Sequence, residues 1–166
     1  MAHTRETLDS ALERVFRDHS QQLFISALAV TGCPERAEDA VQEAFYRLFR
    51  MKQKPRHLKA YVFRTVRNAA LNQRKEKSAE GMEDVEFIFA AEEGPGDSAE
   101  RNEFRQRAAQ AMKNLSDDER ETVISRLYAD LTFRQIGRVR DTSVNTVCSW
   151  YRRGMQKLRK ELGDES

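Results

Sequence analysis

Apolar residues recur at helical spacing from Thr7 to Val30, with Leu8, Leu12, Val15 and Phe16 followed by Leu23, Phe24, Ala27 and Leu28. That pattern predicts an amphipathic helix. Gly32-Cys33-Pro34 interrupts it as a turn, because glycine and proline break a helix there. A second helix is expected over about residues 35–50, with Ala37, Val41, Ala44, Phe45, Leu48 and Phe49 on one side. Its opening turn is acidic (Glu35, Glu38, Asp39) and its last turn basic (Arg47, Arg50), which suits the helix dipole. A basic loop at residues 51–57, around Pro55, precedes a third helix over roughly 58–77. Its inward set is Tyr61, Val62, Val66, Ala69, Ala70 and Leu71. These helices make one small unit.

Periodicity then fades over residues 78–98, where Gly81, Gly94, Pro95 and Gly96 mark a linker. Val85, Phe87, Ile88 and Phe89 form an apolar knot inside it, which a purely solvated tether would not need; it is expected to dock on this chain or on a partner. A second unit begins near Ala99, where Phe104, Ala108, Ala111, Met112 and Leu115 mark a helix ending before Ser116. Ser116-Asp-Asp-Glu119 is a capping box and opens a helix to about Ala129. Thr132-Phe-Arg-Gln135 is a second one and opens a short helix through Val139. Arg140 and Asp141 make a turn, and Thr142 or Ser143 caps a long helix to about Leu162, with Val144, Val147, Tyr151, Met155 and Leu158 as its apolar side.

A short helix, a tight turn and a helix opening with polar residues form a helix-turn-helix, whose second helix presents its N-terminal residues to base edges in the major groove. Here those residues are Ser143, Asn145, Thr146 and Ser149, with Arg152 and Arg153 placed for phosphates or guanines. Plain helical bundles show similar capping and spacing, and the basic residues after the turn tilt the reading toward DNA. The expected fold class is all-α. Two small helical domains, residues 1–77 and 99–166, are joined by an acidic flexible linker at 78–98, and the C-terminal domain is a helix-turn-helix.

Charge sharpens this picture, because it is sorted into three blocks. Residues 46–77 hold eleven Lys/Arg against one acid, residues 78–104 nine Asp/Glu against one Arg, and residues 134–160 eight Lys/Arg against one Asp. A net charge of +2 over 166 residues therefore hides two basic surfaces joined by an acidic tether. Two such surfaces on separate units suit a polyanion gripped at two places, since Lys/Arg contacts to phosphate supply most nonspecific nucleic-acid affinity. The bland alternative for either block alone is a solvated helix face.

Other chemistry is poorly represented. Three histidines (His3, His19, His57) lack a plausible nucleophile, and no dinucleotide, P-loop or zinc-protease motif occurs, so an enzyme is not expected. Cys33 and Cys148 show no metal or disulfide spacing, and Glu38, Asp39 and Glu43 lack a second ligand cluster, so neither metal nor cofactor is expected. No apolar run nears the roughly 20 residues that span a bilayer and no signal peptide opens the chain; a cytoplasmic protein without membrane insertion is expected.

Three stretches together resemble the extracytoplasmic-function sigma factors, the smallest class of bacterial sigma factor. Ala37-Glu-Asp-Ala-Val-Gln-Glu-Ala-Phe-Tyr-Arg-Leu-Phe-Arg50 is similar to the family's helix that docks on the coiled coil of the RNA polymerase β′ subunit. Ala60-Tyr-Val-Phe-Arg-Thr-Val-Arg-Asn-Ala-Ala-Leu-Asn72 is similar to its −10 recognition and melting helix, and residues 115–162 resemble its −35-reading domain.

The resemblance implies a transcription initiation factor. Its partners would be core RNA polymerase (β′ coiled coil and β flap), promoter DNA and, where one exists, an anti-sigma factor. It places polymerase contacts at Asp39, Gln42 and Glu43; the competing account of these acids is service to the helix dipole. It puts −10 contacts at Arg56, His57, Tyr61, Arg64, Arg67 and Asn68, with Phe63 on the same surface, where aromatic and basic residues together suit a single strand. Tyr61 stands equally as a core residue. The acidic linker would occupy a nucleic-acid channel of polymerase, or shield the basic helices of the free protein.

The chain departs from the family at Arg140 and Asp141, where an aliphatic residue and a glycine are usual, and at Cys148 and Trp150, where basic side chains are common. Asp tolerates the left-handed turn, and Arg140 is expected to point outward or snorkel. Trp150 would meet DNA, the core or a partner. The alternatives are a helix-turn-helix regulator with an unrelated helical domain, or a sigma-like protein brought to DNA by a dedicated partner.

Overall fold

The computed structural model describes residues 6–76 and 98–163, and every regular element among them is an α-helix. The first unit comprises α1 (Leu8–Thr31), α2 (Pro34–Leu48) and α3 (Leu58–Glu76). The second comprises α4 (Ala99–Lys113), α5 (Asp117–Leu127), α6 (Phe133–Arg140) and α7 (Val144–Leu162). The acidic stretch with its apolar knot at Val85–Phe89 lies outside the described residues.

Local chemistry sets the helix ends. The Thr7 hydroxyl accepts from the Ser10 amide at 3.1 Å at the start of α1. Gly32, at φ 65°, stops that helix with its N–H on the Leu28 carbonyl. Pro34 follows at the first turn of α2, where its missing N–H is harmless. Alanines 37, 40 and 44 on α2 are fully buried, and their small size lets α2 lie close against α1 and α3. Leu12, Leu23, Ile25, Leu28, Leu48 and Phe63 fill the space between the three helices. Phe63 is therefore core and not surface as expected. Tyr61, with 41% of its area exposed, is surface and not core.

In the second unit both capping boxes form: Ser116 with Glu119, and Thr132 with Gln135. Arg120 is buried at the joint of α4 and α5, donating to the carbonyls of Met112 (3.0 Å) and Leu115 (2.8 Å) and to Asp117 (3.0 Å). Met112 lies in the last turn of α4, where its carbonyl also takes the Leu115 amide at 3.2 Å, and Leu115 lies just past the helix end, so the guanidinium ties that end to α5. α7 crosses α5 at Gly154, where an added Cβ would lie 2.9 Å from the Val123 methyl. Phe104 and Val144, expected inward, are exposed.

The two units pack on each other, α1 against α5 and α3 against α6, and their buried side chains form one continuous cluster. Arg67 and Arg74 on α3 pair with Glu121 and Asp117 on α5 across this seam.

Candidate functional site

Three surfaces carry the residues singled out from the sequence. On α2, Asp39 and Gln42 are exposed, while Glu43 is half-buried and held by Arg47 one turn later at 2.6 Å. All three share one face of the helix. Beside them runs an open apolar groove of about 870 Å³ between α1 and α2, lined by Phe16, Phe24, Val41, Phe45, Tyr46 and Phe49. Phe16 meets Phe45 edge-on at 5.0 Å, and Arg50 covers Tyr46 at 5.3 Å. The sequence pattern counts Phe16 and Phe49 among the inward residues, and both are exposed here, while Phe45 is buried as expected. The available signal was their number, since α1 and α2 carry more large apolar side chains than one inward stripe needs.

On α3, Tyr61, Arg64 and Asn68 are exposed at intervals of three and four residues, so they make one row along the helix. Arg56 and His57 are exposed in the loop just before it. Slight desolvation, then the nearby Arg138 and Arg56 charges, hold the His57 imidazole below its ordinary value. Arg67 leaves the row. Its guanidinium turns to the seam and grips both carboxylate oxygens of Glu121, the longer contact being 3.3 Å.

The third surface is the helix-turn-helix. Asp141 adopts the left-handed conformation at φ 52°, as the turn requires. Gly137 stands where the Thr142 carbonyl comes within 2.9 Å of any Cβ, so that position admits only glycine without a shift. The Ser143 hydroxyl is committed to capping α7: it accepts from the Thr146 amide at 3.2 Å and bonds the Thr146 hydroxyl at 2.9 Å. Of the residues expected at base edges, Asn145, Ser149 and Arg152 line up at four- and three-residue spacing. Arg153 stands beside them, its Nε on the Ser149 carbonyl at 3.3 Å. Asn145, Arg152 and Arg153 are exposed, and Ser149 is half-buried. Arg134 and Arg138, one turn apart on α6, line a hollow of about 510 Å³ beside the turn. The sequence reading passed over them, although two arginines four apart just before the turn were the signal.

Arg140 neither points outward nor snorkels. Its side chain is 9% exposed and reaches back into the domain. There it pairs with Asp118 and with Glu121 at 3.3 Å and lies over the Trp150 ring at 4.7 Å. The inward path wins because two carboxylates and an aromatic face compensate the lost hydration. Trp150 is consequently half-buried beneath an arginine.

Among the described residues no group of three or more His, Cys, Asp or Glu could hold a metal ion, and no helix is long and apolar enough to cross a membrane.

Comparison with known proteins matches residues 15–80 to Sigma-70 region 2 and residues 111–160 to Sigma-70, region 4. The chain is 25% identical over 160 residues to the ECF RNA polymerase sigma factor SigE of Mycolicibacterium smegmatis. That alignment covers 93% of the chain, which spans only 62% of the relative's length. Among solved structures, the sigma factor RpoE crystallised with the anti-sigma factor NepR from Bartonella quintana has the same fold. The TM-score is 0.69 at 16% identity, over 94% of this chain and 99% of that one.

Proposed function

The chain belongs to the extracytoplasmic-function class of the sigma-70 family, whose members are transcription initiation factors and not enzymes, and we propose that it binds bacterial core RNA polymerase and directs it to promoters through −10 and −35 elements. In this reading residues 1–77 dock on polymerase and open the −10 element, residues 78–98 connect, and residues 99–166 read the −35 duplex. The observation that carries it is the coexistence, in one chain, of two exposed rows whose side chains suit different forms of DNA. Tyr61, Arg64 and Asn68, with Arg56 and His57 beside them, combine an aromatic plane with cations, as an unpaired strand requires. Asn145, Ser149 and Arg152 project from the start of a helix-turn-helix reader, as a duplex requires, with Arg153, Arg134 and Arg138 available for phosphates. Ser143 and Thr146 act on this surface by holding the helix N-terminus.

Asp39, Gln42 and Glu43 would meet a basic face of the β′ coiled coil, with the apolar groove beside them adding area, and the second unit would meet the β flap. An anti-sigma protein belongs among the partners because the structural relative was crystallised with one. The working compartment would be the cytoplasm, where polymerase and promoters are.

Binding to core polymerase tests this. A stoichiometric complex is expected, and the double substitution Asp39→Arg and Glu43→Arg should weaken it about tenfold, or 1.4 kcal/mol. Unchanged affinity would remove α2 from the polymerase face. A chain that binds −35 duplex but no core enzyme would be a helix-turn-helix regulator instead.

A further inference from the structure

Val144 is 41% exposed, whereas every other apolar residue of α7 is buried or half-buried. It is the first residue of that helix, directly before Asn145. Helical side chains lean toward the N-terminus, so Val144 leans off the end of α7 into the hollow of about 510 Å³ that Arg134 and Arg138 also line. Its Cγ2 lies 3.9 Å from the place a Cβ on Gly137 would take. One side of the valine therefore rests on α6 and the rest is open. Cys148, half-buried one turn later, leaves that side of the helix without a charge.

A single exposed valine is ordinary on a protein surface. The surroundings of this one are not. α4 and α5 carry acids in their first turns, where the helix dipole favours them, and α7 carries none. An acid-free start beside two arginines suits the approach of a polyanion, with the arginines placed for its phosphates. In the major groove of DNA the apolar group on offer is the C5-methyl of thymine, and small apolar side chains recognise it. A valine in a helix keeps essentially one rotamer, so this contact costs little side-chain entropy. Asn145 beside it has the geometry to take N6 and N7 of an adenine.

We propose that Val144 reads the C5-methyl of a thymine in the −35 element, so that this chain selects thymine there by an apolar contact made next to the amide of Asn145. The inference rests on the reading of α7 as the −35 helix. A methyl contact carries no charge and releases no counterion, so it adds base preference to the affinity that the arginines supply.

Deoxyuridine lacks only that methyl, so the first arm of the test leaves the protein unchanged. The full chain in complex with core polymerase selects duplexes from a library randomised across the −35 region. Wild type should enrich thymine at one −35 position. Replacing that thymidine by deoxyuridine in the selected duplex should weaken binding about fourfold, the effect of one methyl-sized apolar contact. In the second arm, Val144→Ser, shown by circular dichroism to be as helical as wild type, should bind the thymidine and deoxyuridine duplexes equally.

Equal binding of the two duplexes by wild type would overturn the proposal. So would a methyl preference that Val144→Ser retains in full, because other side chains would then read the thymine. Enrichment of no −35 base at all would instead sink the reading of α7 as the −35 helix.

Discussion

Arg140 decides how the helix-turn-helix is held to its domain. Paired with Asp118 and Glu121 and stacked on Trp150, it joins the turn to α5 and α7 at once. Arg140→Met keeps the length and removes the charge, leaving Asp118 without that partner and uncovering the indole. A loss of about 1–3 kcal/mol is expected from the charged hydrogen bond to Asp118 and the ion pair to Glu121 given up. Because Trp150 is the single tryptophan, its fluorescence emission should shift to the red. Unaltered emission and melting would show that the contact is idle.

Glu119 makes a second prediction at this scale. Burial pushes its carboxyl up, but hydrogen bonds from Lys157 (2.5 Å) and the Ser116 amide (3.3 Å) outweigh that and bring it below the ordinary value of 4.5. A carboxyl lowered by folding contributes stability that is complete above 4.5 and is lost as pH falls through the folded value. Melting temperatures between pH 6 and 3 should therefore fall less steeply in Glu119→Gln than in wild type; parallel profiles would contradict this.

Single side chains were also where the sequence misled. Phe63 shares a stripe with Val66 and Ala70, whereas Tyr61 shares one with Thr65 and Asn68, so the helical period did separate core from surface. Aromatic character, which suits a strand and a core equally, obscured it. Arg140 was illegible for a different reason: its partners come from α5 and α7, 19 or more and 10 positions away, and no local pattern reveals them.

Helices and their ends were legible because their signals are local. Both capping boxes, the Gly32-Cys33-Pro34 break and the left-handed Asp141 form as the residue types require. What local signals leave out is how closely helices cross. Gly154 sits mid-helix in α7, where alanine would ordinarily be better by about 1 kcal/mol. The 2.9 Å approach to Val123, a stiff and fully buried side chain, reverses the sign. Gly154→Ala is expected to destabilise the protein by about 1–3 kcal/mol of overpacking, measured by denaturant unfolding. A stabilised variant would mean that α7 can move off α5 freely. The α1–α2 groove escaped notice for the same reason: periodicity marks residues as apolar but not which of them a neighbouring helix leaves uncovered.

At the scale of the whole molecule, two basic units were visible in the charge pattern, but their mutual packing was not. α3 carries a buried stripe for its own unit and a second flank, with Arg67 and Arg74, that meets α5. Polar and charged residues on that flank look like any solvated face until the partner is in place.

Transcription in vitro by bacterial core polymerase with this chain, on a library randomised across the −35 and −10 regions, tests the central claim most directly. Wild type should select start sites with both elements at one fixed separation. Asn145→Ala or Arg152→Ala should change the selected −35 bases and leave the −10 bases alone, at about 1–3 kcal/mol per lost base contact. Start sites independent of either element, or no transcription above that of core enzyme alone, would contradict it.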